Sequence, residues 1–116
     1  MDESPWPADW VRVALPGVVL AIVRDEESYG YLIAQRLSAA GFGSVKGSVL
    51  YPLLTRLEQD GALASTWRDG AGGPGRKYYT LTDVGRERLT GYTTAWAHFA
   101  SSTAAILAPT KTKDAQ

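Results

Sequence analysis

A chain of 116 residues without cysteine has room for one compact domain, or one domain with a protruding element. At this size roughly two-thirds of the unfolded surface can be buried, so no staple is required, and without cysteine there is no disulfide, thiol nucleophile, thiolate metal site or redox sensor. Twelve Lys+Arg balance twelve Asp+Glu, which excludes a polybasic nucleic-acid tail. Yet residues 1–30 carry two basic against six acidic side chains, residues 31–90 eight against five, and residues 91–116 two against one.

Residues 1–5 read as a frayed terminus. From Trp6 to Val23 the apolar residues recur at helical spacing, with Val11, Leu15, Val18 and Ile22 on one stripe. Pro16 is expected to kink this segment or to open a new helix. The longest apolar run, Val13–Val23, falls far short of the roughly 20 residues a bilayer span needs. Its acidic flank is unlike a signal peptide, so the expectation is a cytoplasmic protein with no membrane partner. Arg24–Glu27 is a charged break. Ser28 is placed as the N-cap of a second helix, with Ile33 and Leu37 on its buried side and Gly41 ending it.

A third helix is expected over about Gly47–Asp60, with Leu50, Leu53, Leu54 and Leu57 as its core stripe. Pro52 should then lie near its first turn, and Gly61 ends it. Ala62–Arg68 and Arg76–Leu81 read as strands, joined by a glycine-rich hairpin tip, Asp69–Gly75. Thr82 can cap a last helix, with Asp83 in its first turn. Along it Gly85, Leu89, Tyr92, Trp96, Phe99, Thr103 and Ile106 alternate spacings of four and three, a heptad seam. Pro109 closes the helix before a polar tail.

Three short helices, a two-stranded ribbon and a long helix make a mainly α fold with a β-wing: a winged helix-turn-helix plus a long C-terminal dimerisation helix. The expected divisions are a DNA-binding domain over 6–81, the dimerisation helix over 82–108 and a flexible tail over 109–116. A heptad seam needs a second chain to face, so a homodimer is expected. Its two-fold symmetry suits a pseudo-palindromic operator in double-stranded DNA.

Ser28-Tyr29-Gly30-Tyr31, Gly47-Ser48-Val49-Leu50-Tyr51-Pro52-Leu53-Leu54-Thr55-Arg56-Leu57-Glu58 with Asp60-Gly61-Ala62-Leu63 behind it, and the wing Gly72-Gly73-Pro74-Gly75-Arg76-Lys77-Tyr78-Tyr79-Thr80-Leu81-Thr82 with Gly85 resemble the PadR family of bacterial transcriptional regulators. The resemblance covers about residues 15–90. It implies a dimeric winged-helix repressor whose last helix drives dimerisation with help from the first. The short last helix is similar to the small-sized branch of the family, where the regulator of a multidrug exporter carries a tryptophan at a drug-binding pore between subunits. Trp96 is similarly placed after Gly85. Pro16-Gly17 is a departure from the family pattern in the first helix.

If the leucines of the third helix face inward, Ser48, Tyr51 and Thr55 point outward. Tyr51 can then contact phosphate or a base edge, or simply pack on its neighbour. Lys46, Gly47 and Ser48 form a helix N-terminus suited to phosphate, with Lys46 either a phosphate ligand or only a solvated charge. Arg76 and Lys77 adjoin the tip but lie on opposite faces of a strand, so one of them is the expected phosphate ligand; Arg68 is a weaker candidate. Tyr29 is a further phosphate candidate, Tyr31 is assigned no single role, and of Tyr78 and Tyr79 one should pack inward. The dimerisation set is Leu89, Tyr92, Trp96, Phe99 and Ile106. Trp96 is plain interface core or, as the resemblance implies, stacks on a small aromatic effector, with Phe99, Tyr92 and Trp10 lining the same space.

The glycine-rich tip lacks the Lys-Ser/Thr ending of a nucleotide loop and joins two strands. His98 has no His or Cys companion, so neither a metal nor any other cofactor is expected. No nucleophile–base–acid set marks an enzyme. The rival readings are a winged-helix module that binds protein without DNA and a protein that only sequesters a small molecule.

Overall fold

A computed structural model of the chain describes residues 4–70 and 73–110. Its elements run α1 (Ala8–Asp25), β1 (Ser28–Tyr29), α2 (Gly30–Leu37), a π-helical turn (Ser38–Phe42), α3 (Gly47–Gln59), β2 (Leu63–Gly70), β3 (Gly73–Leu81) and α4 (Asp83–Leu107). The strands form one antiparallel sheet in the order β1-β3-β2. The winged helix-turn-helix with its long last helix is therefore the architecture of this chain. No helix among the described residues is long and apolar enough to cross a membrane.

The core draws on all four α-helices and the β2–β3 ribbon. Leu15, Val19, Leu20 and Val23 of α1 meet Ile33 and Leu37 of α2, Leu50, Leu54 and Leu57 of α3, Leu63, Tyr79 and Leu81 of the sheet, and Leu89 of α4. Burial of that apolar surface is the main stabilising term. The stripe on α1 is rotated from the expected one: Leu15 is buried, but Val11, Val18 and Ile22 only pack against its edge. Pro16 neither ends nor restarts the helix, for α1 runs through it without a break.

Beside it, Gly17 makes a notch. A Cβ there would lie 2.5 Å from Cζ of Tyr92 and closer to the rest of that ring edge. The ring seats on Gly17, and the Tyr92 hydroxyl donates to the carbonyl of Ala14 at 3.2 Å. The departure at Pro16-Gly17 is thus the clasp that holds α4 to α1.

Ser28 does not cap α2. It is fully buried in β1, opposite Tyr79, where its hydroxyl donates to the carbonyl of Glu26 at 2.8 Å and accepts from Arg36 at 2.7 Å. Tyr29 takes the N-cap position without a side-chain bond. The charged break is shorter than expected, since Arg24 and Asp25 close α1. Gly41, at φ 100°, turns the chain out of the helical path as its residue type suggests. Pro52 is the sixth residue of α3, one turn deeper than expected; lacking an N–H, it has none to give the carbonyl of Ser48.

The ribbon is longer than the composition implied. Gly70 pairs with Gly73 across a register shift between Arg68 and Gly70, and residues 71–72 of the expected tip lie outside the described residues. Thr82 does cap α4: its Oγ1 accepts the N–H of Gly85 at 2.9 Å and donates to the carbonyl of Gly61 at 2.6 Å. One hydroxyl therefore staples α4 to the α3–β2 turn. The helix ends at Leu107 before Ala108 and Pro109.

Candidate nucleic-acid interface

The leucines that bury one side of α3 leave Ser48, Tyr51, Thr55 and Arg56 exposed on the others. Lys46 is the N-cap, with its carbonyl accepting from Val49 and Leu50 at 2.9 Å. Its side chain and the first turn, Gly47 and Ser48, are exposed. The helix start thus presents N–H groups, and a cation, to solvent.

A groove of about 520 Å³ separates this helix and the start of α2 from the wing. Tyr29, Tyr51, Thr55, Trp67, Arg76 and Lys77 are among its walls. The strand pleat sorts the wing residues. On the face toward α3, Tyr79 is buried, and burial pushes its hydroxyl pKa up. Lys77 on the same face pairs with Glu58 of α3 at 3.0 Å, and Ser65 donates to the second oxygen of that carboxylate at 2.5 Å. The Ser65 hydrogen bond, followed by the one from Lys77, holds the Glu58 carboxyl below the usual carboxylate range. In turn the Glu58 contact raises the Lys77 ammonium above its usual value.

The opposite face carries a cation–aromatic ladder. Arg68 lies 4.3 Å from the Tyr78 ring centre, Tyr78 meets Tyr29 edge-on at 5.2 Å, and Arg76 lies 4.5 Å from the Tyr29 ring centre. Arg68 also pairs with Glu27 at 2.5 Å, and that hydrogen bond lowers the Glu27 pKa.

The sequence-derived set is therefore sorted, not simply assembled. Tyr29, Tyr51, Thr55, Arg76 and Lys77 meet at one groove, and Lys46, Gly47 and Ser48 stand at the adjoining helix start. Lys77 is braced against α3, whereas Arg76 has no carboxylate within 4.0 Å among the described residues. The same holds for Lys46 and Arg56. Trp67 and Arg56 were missed, and Tyr31, left without a single role, joins them. Tyr31 and Trp67 line the groove with large exposed rings, 69% in the case of Trp67, and the signal for Trp67 was its alternation with Arg68. Arg56 is the exposed neighbour of Thr55.

The seam residues divide. Leu89 does not face outward as the heptad spacing suggested; it is buried in the domain's own core. Tyr92 is clasped to α1, and burial raises its hydroxyl pKa. Trp96, Phe99 and Ile106 remain exposed, as do Trp6, Trp10 and Val13 of the N-terminal segment. Tyr92, Trp96 and Phe99 form an aromatic run at 6.1 and 5.9 Å between ring centres. Trp10, Trp96 and Phe99 help to line an apolar groove of about 620 Å³ between α1 and α4. Phe42 from the turn before α3 lines it as well, and Trp6 donates its indole N–H to the Gly41 carbonyl at 3.2 Å. His98 is exposed, and no cluster of metal-ligating side chains occurs among the described residues.

The model of the transcriptional regulator PadR-like family matches residues 19–91. The crystal structure of a PadR family transcriptional regulator from Eggerthella lenta superposes with a TM-score of 0.80 at 33% identity, covering 88% of each chain. A transcriptional regulator of Mycobacterium tuberculosis is 38% identical over 82 residues, 71% of this chain and 75% of its own. The crystal structure of Bacillus subtilis PadR in complex with operator DNA matches with a TM-score of 0.64 at 29% identity, over 69% of this chain and 46% of that one.

Proposed function

The chain belongs to the PadR-like family of transcriptional regulators, not to an enzyme family, and from that premise we propose that it is a homodimeric repressor that binds a pseudo-palindromic operator and is released by a small aromatic effector. The observation that carries the DNA reading is the groove where the exposed face of α3 meets the wing, with Tyr51, Thr55 and Arg76 on its walls. The operator complex of the Bacillus subtilis relative supports the same reading. On this reading α3 enters the major groove, and Ser48, Tyr51 and Thr55 face the DNA. Lys46 and Arg76 take phosphates, with Gly47 and Tyr29 beside them; Lys77 serves through its brace to Glu58.

The dimer is supported by the exposed apolar half of α4. Trp96, Phe99 and Ile106 continue a seam whose first half is already spent inside the chain, and a protein in water does not leave such a patch bare without a use for it. The effector reading rests on the aromatic groove beneath them, whose volume falls in the range of small-molecule pockets. Its apolar lining suits a flat aromatic compound.

Retention of a duplex from upstream of the protein's own gene, titrated with salt, tests the DNA reading. The two phosphate-binding cations of each protomer, Lys46 and Arg76, give a log–log slope of about −4 for a dimer at about 0.9 per phosphate. Binding that is absent, or flat in salt, overturns it in favour of the protein-interaction module. For the effector, Trp96→Ala, compared with wild type at a protein concentration where both are dimeric, should abolish the response to flat aromatic compounds while operator affinity stays within about threefold, and a response that survives removes Trp96 from the site.

A further inference from the structure

We infer that Gly30 is a positioning residue for operator recognition: it leaves the space in which the Tyr51 ring lies, and so fixes where the Tyr51 hydroxyl stands in the groove. The inference rests on the reading of Tyr51 as a DNA contact. Gly30 is the first residue of α2 and is buried. A Cβ built on it would stand 2.5 Å from the Tyr51 hydroxyl oxygen and 2.7 Å from its Cζ. On its other edge the ring touches the start of α3, where a Cβ on Gly47 would be 3.4 Å from Cδ2. The ring is thus laid across the first residues of both helices of the helix-turn-helix. Its far end points at the amino end of α2, in the groove shared with Trp67 and Arg76.

What matters is what the added methyl would strike. It would meet the tip of a half-exposed side chain, not backbone, so Tyr51 can swing away without moving α2 from α3. Gly30 has no positive φ, and alanine is the better helix former. The fold therefore accepts Gly30→Ala, and the cost falls on the direction of one tyrosine. Two separate features meet in this one contact: a glycine with no conformational need to be glycine, and an exposed tyrosine that occupies the space a side chain would take.

The test is a double-mutant cycle read by fluorescence anisotropy on the upstream duplex, with melting temperatures for each protein. Gly30→Ala should weaken operator binding about tenfold, the scale of one lost hydrogen bond, while melting at or above the wild-type temperature. Tyr51→Ala should weaken binding by a similar factor, and Gly30→Ala should add nothing in the Tyr51→Ala background. Wild-type affinity in Gly30→Ala overturns the inference and leaves the DNA reading intact. So do losses that multiply in the double variant, or a lowered melting temperature, since either makes Gly30 an independent packing residue. Failure of the wild-type protein to bind any duplex overturns both.

Discussion

Two glycines of α4 should respond to the same substitution with opposite signs. A Cβ on Gly85 would enter the carbonyl oxygen of Ala62 and lie 2.6 Å from Leu81 Cδ1, whereas one on Gly91 meets nothing within 4 Å. The Ala62 obstacle is backbone, in the turn to which Thr82 is stapled by its N–H and its hydroxyl. Gly85→Ala must therefore push the helix start outward by about an ångström, at an overpacking cost of about 2 kcal/mol. Strain on the Thr82 cap adds about 1 kcal/mol, and the helix preference of alanine returns about 1 kcal/mol. The net loss, about 2 kcal/mol, lowers the melting temperature of a chain of this length by roughly 8 °C. Gly91→Ala has only the favourable part and should gain up to about 1 kcal/mol. Far-UV circular dichroism melts at one fixed protomer concentration, as the proposed dimer requires, give the answer. Gly85→Ala melting at or above wild type would refute the close approach of α4 to the α3–β2 turn.

Two further outcomes follow from named contacts. Thr82→Val keeps the side-chain shape but removes the cap on Gly85, and should cost about 1 kcal/mol in urea unfolding with an unchanged m-value. Glu58 has a depressed pKa in the folded chain. Its brace to Ser65 and Lys77 is thus fully present above the ordinary glutamate value of about 4.3 and is lost as pH falls through the lower folded value. Wild type should lose stability more steeply than Glu58→Gln between about pH 5 and pH 3, measured by thermal melts across that window; parallel profiles would remove Glu58 from the wing brace.

What the amino-acid order disclosed is mostly what short-range chemistry decides. Thr82 before an acidic residue and an apolar period announces a helix start. The leucines of α3 announce a buried face, and with it which residues of that helix are left exposed. Ser28 misled for an instructive reason. A buried hydroxyl beside carboxylates suits an N-cap or a strand equally well locally, and the choice is made by Arg36, eight residues on, and by Tyr79 across the sheet. A strand of two residues has no period to detect; β1 exists only because β3 is there to pair with it. The heptad spacing on α4 was visible, but its division was not. Which half lies inside the chain depends on the notch at Gly17, a glycine seventy-five positions before Tyr92 in the sequence. Likewise, alternation separated Arg76 from Lys77, but only the fold shows that Glu58 takes the lysine.

The short strand β1 has a mechanical meaning. By pairing Ser28 and Tyr29 with Tyr79 and Tyr78, it ties the entrance of α2 to the wing, while Lys77–Glu58 ties the wing to α3. Thr82 and Tyr92 then fasten the root of α4 to the same body. The reading head is triangulated, and little freedom is left within it. In the proposed dimer, any change in the distance between two heads must come from rotation at the chain–chain contact, with the overhanging half of α4 as the lever. A compound lodged beside Trp96 would then act at the fulcrum, where a small displacement sweeps each α3 through the widest arc.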